Sequence, residues 1–246
     1  MKLFNRLIIT FITILELVHI CPQALLINFQ PNIVESNCVV DKKITKDYKY
    51  LKINVKIPQI NCLKNKEQEK VINNEISEWT EMWIMDVEKL AKDYFGAPKV
   101  EEPVFPYELT SNYIVKNKNE ILSLYIDYYQ YTGGAHGITT RKSYNIDMDK
   151  GNKIKLANLF KENYDYKCFI NKIISEEISK NPNNYFQGKD GFKGISEEQG
   201  FYIEDGNLVV YFDYYEIAPY AFGMPEFKIP LKIFKDNLVY DKILNK

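Results

Sequence analysis

An α+β fold, with antiparallel sheets packed by amphipathic helices in two intertwined modules, follows from three features of the sequence. Period-two runs dominate, of which Tyr48 to Ile60 is the clearest: Leu51, Ile53, Val55 and Ile57 alternate with Lys52, Asn54 and Lys56. Two segments switch to helical spacing, and short polar turns join neighbouring strand runs as hairpins do.

The first helical segment is Lys66 to Phe95, where Val71, Ile72, Ile76, Trp79, Trp83, Val87, Leu90, Ala91 and Tyr94 recur three or four apart. Gly96 and Pro98 end it. Both tryptophans fall on the apolar stripe, which reads as core against a sheet and not as a sugar platform. Ahead of it, Ile33 to Val40 and Tyr48 to Ile60 read as strands. Beyond a proline-rich linker at Val100 to Pro106, Tyr107 to Lys116 and Glu120 to Tyr131 form a hairpin around Asn117-Lys118-Asn119. Thr139 to Asp147 returns as a third strand. Asp147, Asp149 and Gly151 lack the further ligands of a calcium loop and read as a turn.

Leu156 to Phe160 is a short helical turn, and Tyr166 to Lys180 is the second amphipathic helix, followed by a polar loop from Asn181 to Gly194. Phe201 to Ile203 and Leu208 to Phe212 flank an Asp-Gly turn. Tyr214 to Phe227 holds Pro219, Gly223 and Pro225 among five aromatics, so it reads as a stiffened, exposed loop before an edge strand, Phe227 to Leu231.

Composition sets the compartment and removes some functions. Lys2 and Arg6 precede an apolar run from Leu7, as in an export leader spanning Met1 to Gln30, either cleaved or kept as an N-terminal membrane anchor. Lipid attachment at Cys21 lacks the small residues it needs. The product is then extracytoplasmic, where Cys38 and Cys62, flanking a strand pair, are candidates for a disulfide, with free thiols as the alternative. The 32 basic and 33 acidic residues nearly cancel and are scattered, which argues against nucleic acid. No spacing suits a metal, and no cofactor is expected. The 19 tyrosines suit half-exposed sheets or a recognition surface.

Gly133, Gly134 and Gly137 interrupt an aromatic run beside His136, the one histidine outside the leader. The segment reads as a turn or as the lip of a site. Candidate binding residues are therefore Gly133, Gly134 and His136 here, with Pro219, Tyr220 and Phe222 on the proline loop; inward packing of both loops is the competing reading. A hydrolase would need Ser123, Ser143 or Cys168 beside His136, or a carboxylate pair among Asp213, Glu216 and Glu226. No nucleophile elbow frames any of these. A structural role in surface assembly is a third reading.

The blocks Tyr131-Thr132-Gly133-Gly134-Ala135-His136-Gly137, Leu156-Ala157-Asn158-Leu159-Phe160, Tyr215-Glu216-Ile217-Ala218-Pro219-Tyr220 and Pro225-Glu226-Phe227 resemble the extracytoplasmic domain of the RsiV anti-sigma factors. Lys52 to Ile60 and Val71 to Ile76 are similar to the module preceding the catalytic domain of PdaC-type peptidoglycan deacetylases. The resemblance implies a module over residues 31–113, a second over 114–246, and a non-catalytic binding or sensor role at the cell surface. Its implied partner is lysozyme or a cell-wall glycan. With Met1 to Arg6 alone ahead of the apolar run and no deacetylase domain after the modules, neither a sigma-binding segment nor a deacetylase is expected.

Overall fold

The computed structural model describes residues 37–96 and 105–240. A five-stranded sheet has the order β1 (Val39–Tyr48), β2 (Leu51–Ile60), β3 (Tyr107–Lys118), β4 (Ile121–Tyr131), β5 (Ile138–Asp147). A three-stranded antiparallel sheet follows the order β6 (Phe201–Glu204), β7 (Asn207–Tyr211), β8 (Glu226–Pro230). The helices are α1 (Lys66–Phe95) and α2 (Tyr166–Lys180). The fold is thus α+β as expected, with one parallel pair: β2 and β3 run the same way because α1 carries the chain back between them.

Alternation decides which face of the large sheet is dry. Leu51, Ile53 and Val55 of β2, Leu109 of β3, and Leu124, Ile126 and Tyr128 of β4 face α1 and are almost wholly buried. Helix α1 answers with Ile72, Ile76, Ile84, Val87 and Ala91. Trp79 and Trp83 lie on Tyr128, at centroid distances of 4.3 and 5.1 Å, so both tryptophans are core elements. Thr80, absent from the apolar stripe, is fully buried there; its hydroxyl donates to the Ile76 carbonyl and meets the Tyr128 hydroxyl at 2.9 Å. Val71, Leu90 and Tyr94, assigned to that stripe, are about half exposed, since a helix on one sheet buries only one narrow arc. Asn65 caps α1 by accepting the Gln68 amide, and Asp165 caps α2 by accepting that of Cys168.

The first strand lies later than its sequence pattern suggests. It runs from Val39 to Tyr48, through Asp41, Lys42, Lys43, Lys46 and Asp47. As the edge strand of its sheet it presents one flank to water, so charges are tolerated and the alternation that marks strands is blurred. Ile33 to Ser36, the leader with Cys21, and most of the Val100 to Pro106 linker fall outside the described residues. Among the described residues, no helix is long and apolar enough to cross a membrane. Cys38 and Cys62 form a disulfide at the far end of the β1–β2 pair, with 4.7 Å between their Cα atoms. Cys168 is an exposed free thiol.

The smaller sheet packs against α2 through Ile170, Ile174, Phe201, Val210, Phe227 and Ile229. Its strand β6 also covers half of the polar face of the large sheet. There Ser123 accepts the Ile203 amide and donates to Asn145, whose side-chain NH2 reaches the Phe201 carbonyl. Tyr125, Tyr202, Val209 and Tyr211 fill the space beside these bonds. The other half of that polar face stays open.

Candidate functional site

Pairing register shows what the open half presents. Across β2, β3, β4 and β5, Asn54 pairs with Thr110, Thr110 with Tyr129, and Tyr129 with Thr139. One step along, Asn112 pairs with Asp127 and Asp127 with Arg141. Paired residues point to the same face, so these form two polar rows. Tyr214, Met224 and Glu226 of the proline loop and its following strand wall the rows off on one side, enclosing an open groove of about 620 Å³.

Arg141 forms its floor. The guanidinium meets Asp127 through two bonds, Nε to Oδ1 at 2.6 Å and one NH2 group to Oδ2 at 2.8 Å, and bonds Glu226 Oε1 through the other. It also lies 3.8 Å from the centroid of the Tyr125 ring. Tyr202 donates to the second Glu226 oxygen. Burial works against this charge, but Asp127 and then Glu226 more than offset it and raise the Arg141 pKa. A planar five-donor fork fits two carboxylates and a ring at once, which a lysine ammonium does not. The chain's two arginines are Arg6 and Arg141 against a background of lysines, a sequence signal that marks this position. Asp127 and Arg141 went unmarked among the candidates; Glu226 was marked as a possible acid, and it serves as an ion-pair partner.

At the groove's end the glycine turn and the proline loop meet. The His136 and Tyr220 rings stack at 4.0 Å and 17°, and Tyr214 and Tyr215 stack on Tyr220 at 4.7 and 5.6 Å. The Gly137 carbonyl receives both the Tyr220 hydroxyl, at 3.1 Å, and His136 Nδ1, at 2.9 Å. A carbonyl only accepts, so Nδ1 carries a proton. Tyr215 reaches Nε2 at 3.5 Å. Gly133 and Gly134 have φ of 97° and 88°, angles open mainly to glycine, and Gly137 leaves no room for a Cβ between the Gln130 carbonyl and the Tyr129 ring.

Of the sequence candidates, His136 and Tyr220 are thus in direct contact, with Gly133 and Gly134 exposed in the adjoining turn. Pro219 is exposed and starts the single 3₁₀ turn that carries Tyr220. Phe222 is 41% exposed and leans on Tyr185 at 5.1 Å. The loop is mixed in character, because Ile217, Ala218 and Pro225 pack inward. None of the nucleophile candidates has His136 as its partner: Ser123 bonds Asn145, and Ser143 bonds Tyr211.

The family described as Deacetylase PdaC matches residues 44–139, which take in the end of β1, then β2, α1, β3 and β4, and the family of unknown function DUF3298 matches residues 157–232, with α2 and the smaller sheet. The chain is 30% identical to the anti-sigma-V factor RsiV of Bacillus subtilis over 234 residues, 86% of this chain and 73% of that protein. It is 31% identical over 147 residues to the peptidoglycan-N-acetylmuramic acid deacetylase PdaC of the same organism, 56% of this chain and 32% of that protein, so it spans about a third of the enzyme. Two solved DUF3298 proteins share the fold. One, from Bacteroides fragilis, has a TM-score of 0.58 at 21% identity, covering 84% of this chain and 96% of its own. The other, from Pseudomonas aeruginosa, has a TM-score of 0.57 at 15% identity, covering 82% and 94%.

Proposed function

Because the chain belongs to the family of the anti-sigma-V factor RsiV, we propose that it is an exported, non-catalytic binding or sensor domain that docks lysozyme at the cell surface through the stack of His136, Tyr220, Tyr214 and Tyr215. The observation that carries this reading is the convergence of two loops, distant in sequence, on one exposed aromatic ledge. Rings held by neighbours and by a proline-framed turn lose little freedom on docking, and exposed aromatics of this kind anchor protein interfaces. A cell-wall glycan is the second reading, favoured by the polar groove next to that ledge.

The arrangement of charge favours binding over hydrolysis. Asp127 and Glu226 do approach one another at the groove floor, yet Arg141 sits between them. Each of their four oxygens already accepts a hydrogen bond, from Arg141 or from Tyr202. A glycosidase pair needs that space for the scissile bond and a water, with one carboxyl free to give up a proton.

Calorimetric titration of the purified domain with lysozyme tests the proposal. Binding in the micromolar range or tighter, weakened about tenfold or more by Tyr220→Ala, is expected, as for a central aromatic anchor. Absence of heat at tens of micromolar sinks it.

A further inference from the structure

We infer that the groove over β2 to β5 holds a linear acidic oligosaccharide laid across the strands, with a sugar ring against Tyr129 and Tyr214 and a carboxylate toward Lys43. This deepens the glycan reading and rests on it, independently of what docks on the aromatic ledge.

Three observations select this class of ligand. The first is uncommitted hydrogen-bonding capacity. Among the described residues, the side chains of Asn54, Thr110, Asn112 and Thr139 have no protein partner, although their neighbours Ser111, Ser123 and Asn145 are fully engaged. Amides and hydroxyls both donate and accept, as sugar hydroxyls and acetamido groups do. In register Asn54 and Thr110 stand one inter-strand spacing of ~4.8 Å apart, close to the length of one pyranose along its chain, and Thr139 stands two spacings from Thr110 with the Tyr129 ring between them.

The second is the asymmetry of the groove. Tyr129 and Tyr214 put half-buried rings at the β4–β5 side, surfaces suited to the C–H face of a sugar. At the opposite side stand Lys43 and Lys56, paired across β1 and β2. Lys56 is engaged by Asp41 at 3.4 Å and lies over the Tyr113 ring, whereas exposed Lys43 has no carboxylate within ion-pair distance among the described residues. Arg141 offsets one of the two carboxylates it binds, so the floor keeps one net negative charge, and the positive charge of the groove is confined to the Lys43–Lys56 end, where the carboxylate of a ligand would sit.

The third concerns the alternatives. A peptide added as a strand pairs along an open sheet edge, but this groove lies on the face of the sheet and crosses β2, β3 and β4, which are paired on both sides, before reaching the edge strand β5. A nucleic acid needs cations along its whole path. The groove's volume of about 620 Å³ falls within the ~300–1,000 Å³ typical of ligand sites.

The test is an NMR titration of the isotope-labelled domain with two disaccharides of equal length: chitobiose, which is neutral, and N-acetylglucosaminyl-N-acetylmuramic acid, which carries a carboxylate. Both should shift the amides around Asn54, Thr110, Asn112 and Thr139. The acidic sugar should bind severalfold more tightly at low salt, and Lys43→Gln should abolish that difference. Asn112→Ala, at an exposed position that the fold does not need, should weaken both sugars about tenfold. Shifts that map elsewhere, no saturable shift with either sugar, or equal affinity for the two overturn the inference. The lysozyme titration contains no sugar, so either reading can fail alone.

Discussion

Replacing Arg141 by methionine isolates the contribution of the groove floor. The methionine keeps an unbranched apolar stem against Tyr125 and removes the charge. In the native protein the Arg141 side chain is 10% exposed, while those of Asp127 and Glu226 are 32% and 39% exposed. Breaking a fully buried pair costs about 3–5 kcal/mol because a charge is left uncompensated. Here both carboxylates regain partial access to water, which lowers the cost to about 2–3 kcal/mol. Loss of the cation over the Tyr125 ring adds about 0.5–1 kcal/mol. For a domain of this size each kcal/mol moves the midpoint by about 2–4 °C, so Arg141→Met should lower Tm by roughly 5–15 °C in a thermal melt followed by circular dichroism. Adding Asp127→Asn and Glu226→Gln to that variant should restore a large part of the loss, because no ion is then stranded. A single variant that melts within 2 °C of the native protein, or a triple variant less stable than the single one, refutes this account of the groove floor.

Three further outcomes follow from other parts of the molecule. The Cys38–Cys62 bridge closes a loop with a sequence separation of 24, so removing it by Cys62→Ser should cost about 3 kcal/mol, read as a lower urea midpoint. Burial pushes the Tyr128 and Tyr211 phenols up to about 12, against partial relief from Thr80 and Ser143 respectively. Folding therefore favours the neutral phenol: this stability is fully present below the unfolded pKa of about 10 and is lost as pH rises through about 12. Phenolate absorbance and ellipticity should accordingly change together in that window, and two phenols that ionise with the free-tyrosine midpoint in a folded protein contradict it. At Gly137 a Cβ would lie 2.5 Å from the Gln130 carbonyl and the Tyr129 ring; Gly137→Ala should cost about 1–3 kcal/mol by chemical denaturation, as overpacking does.

Helices and their ends were legible in the sequence because capping and periodicity are local. Lys66 to Phe95 and Tyr166 to Lys180 are read from their apolar stripes, with Gly96 ending the first, and the structure adds Asn65 and Asp165 as their N-caps. Strand β1 was not, since an edge strand with one wet flank loses the alternation that identifies it. Thr80 was passed over for a different reason. A threonine reads as polar until Tyr128, 48 residues away, supplies the partner that lets it be buried. The site shows the same divide. Glycines and prolines marked both loops, because backbone restrictions are written in single residues. Arg141, Asp127 and the two cross-strand rows depend on register among four strands, a property of pairing that no local stretch contains.

The central claim is that the His136–Tyr220 ledge is the docking surface for lysozyme. Hydrogen exchange of the domain's amides with and without saturating lysozyme tests it most directly. Protection concentrated in residues 131–137 and 214–224, with the outer face of α1 unchanged, is the predicted result. No protection in those two segments, or protection centred on α1 or α2, contradicts it.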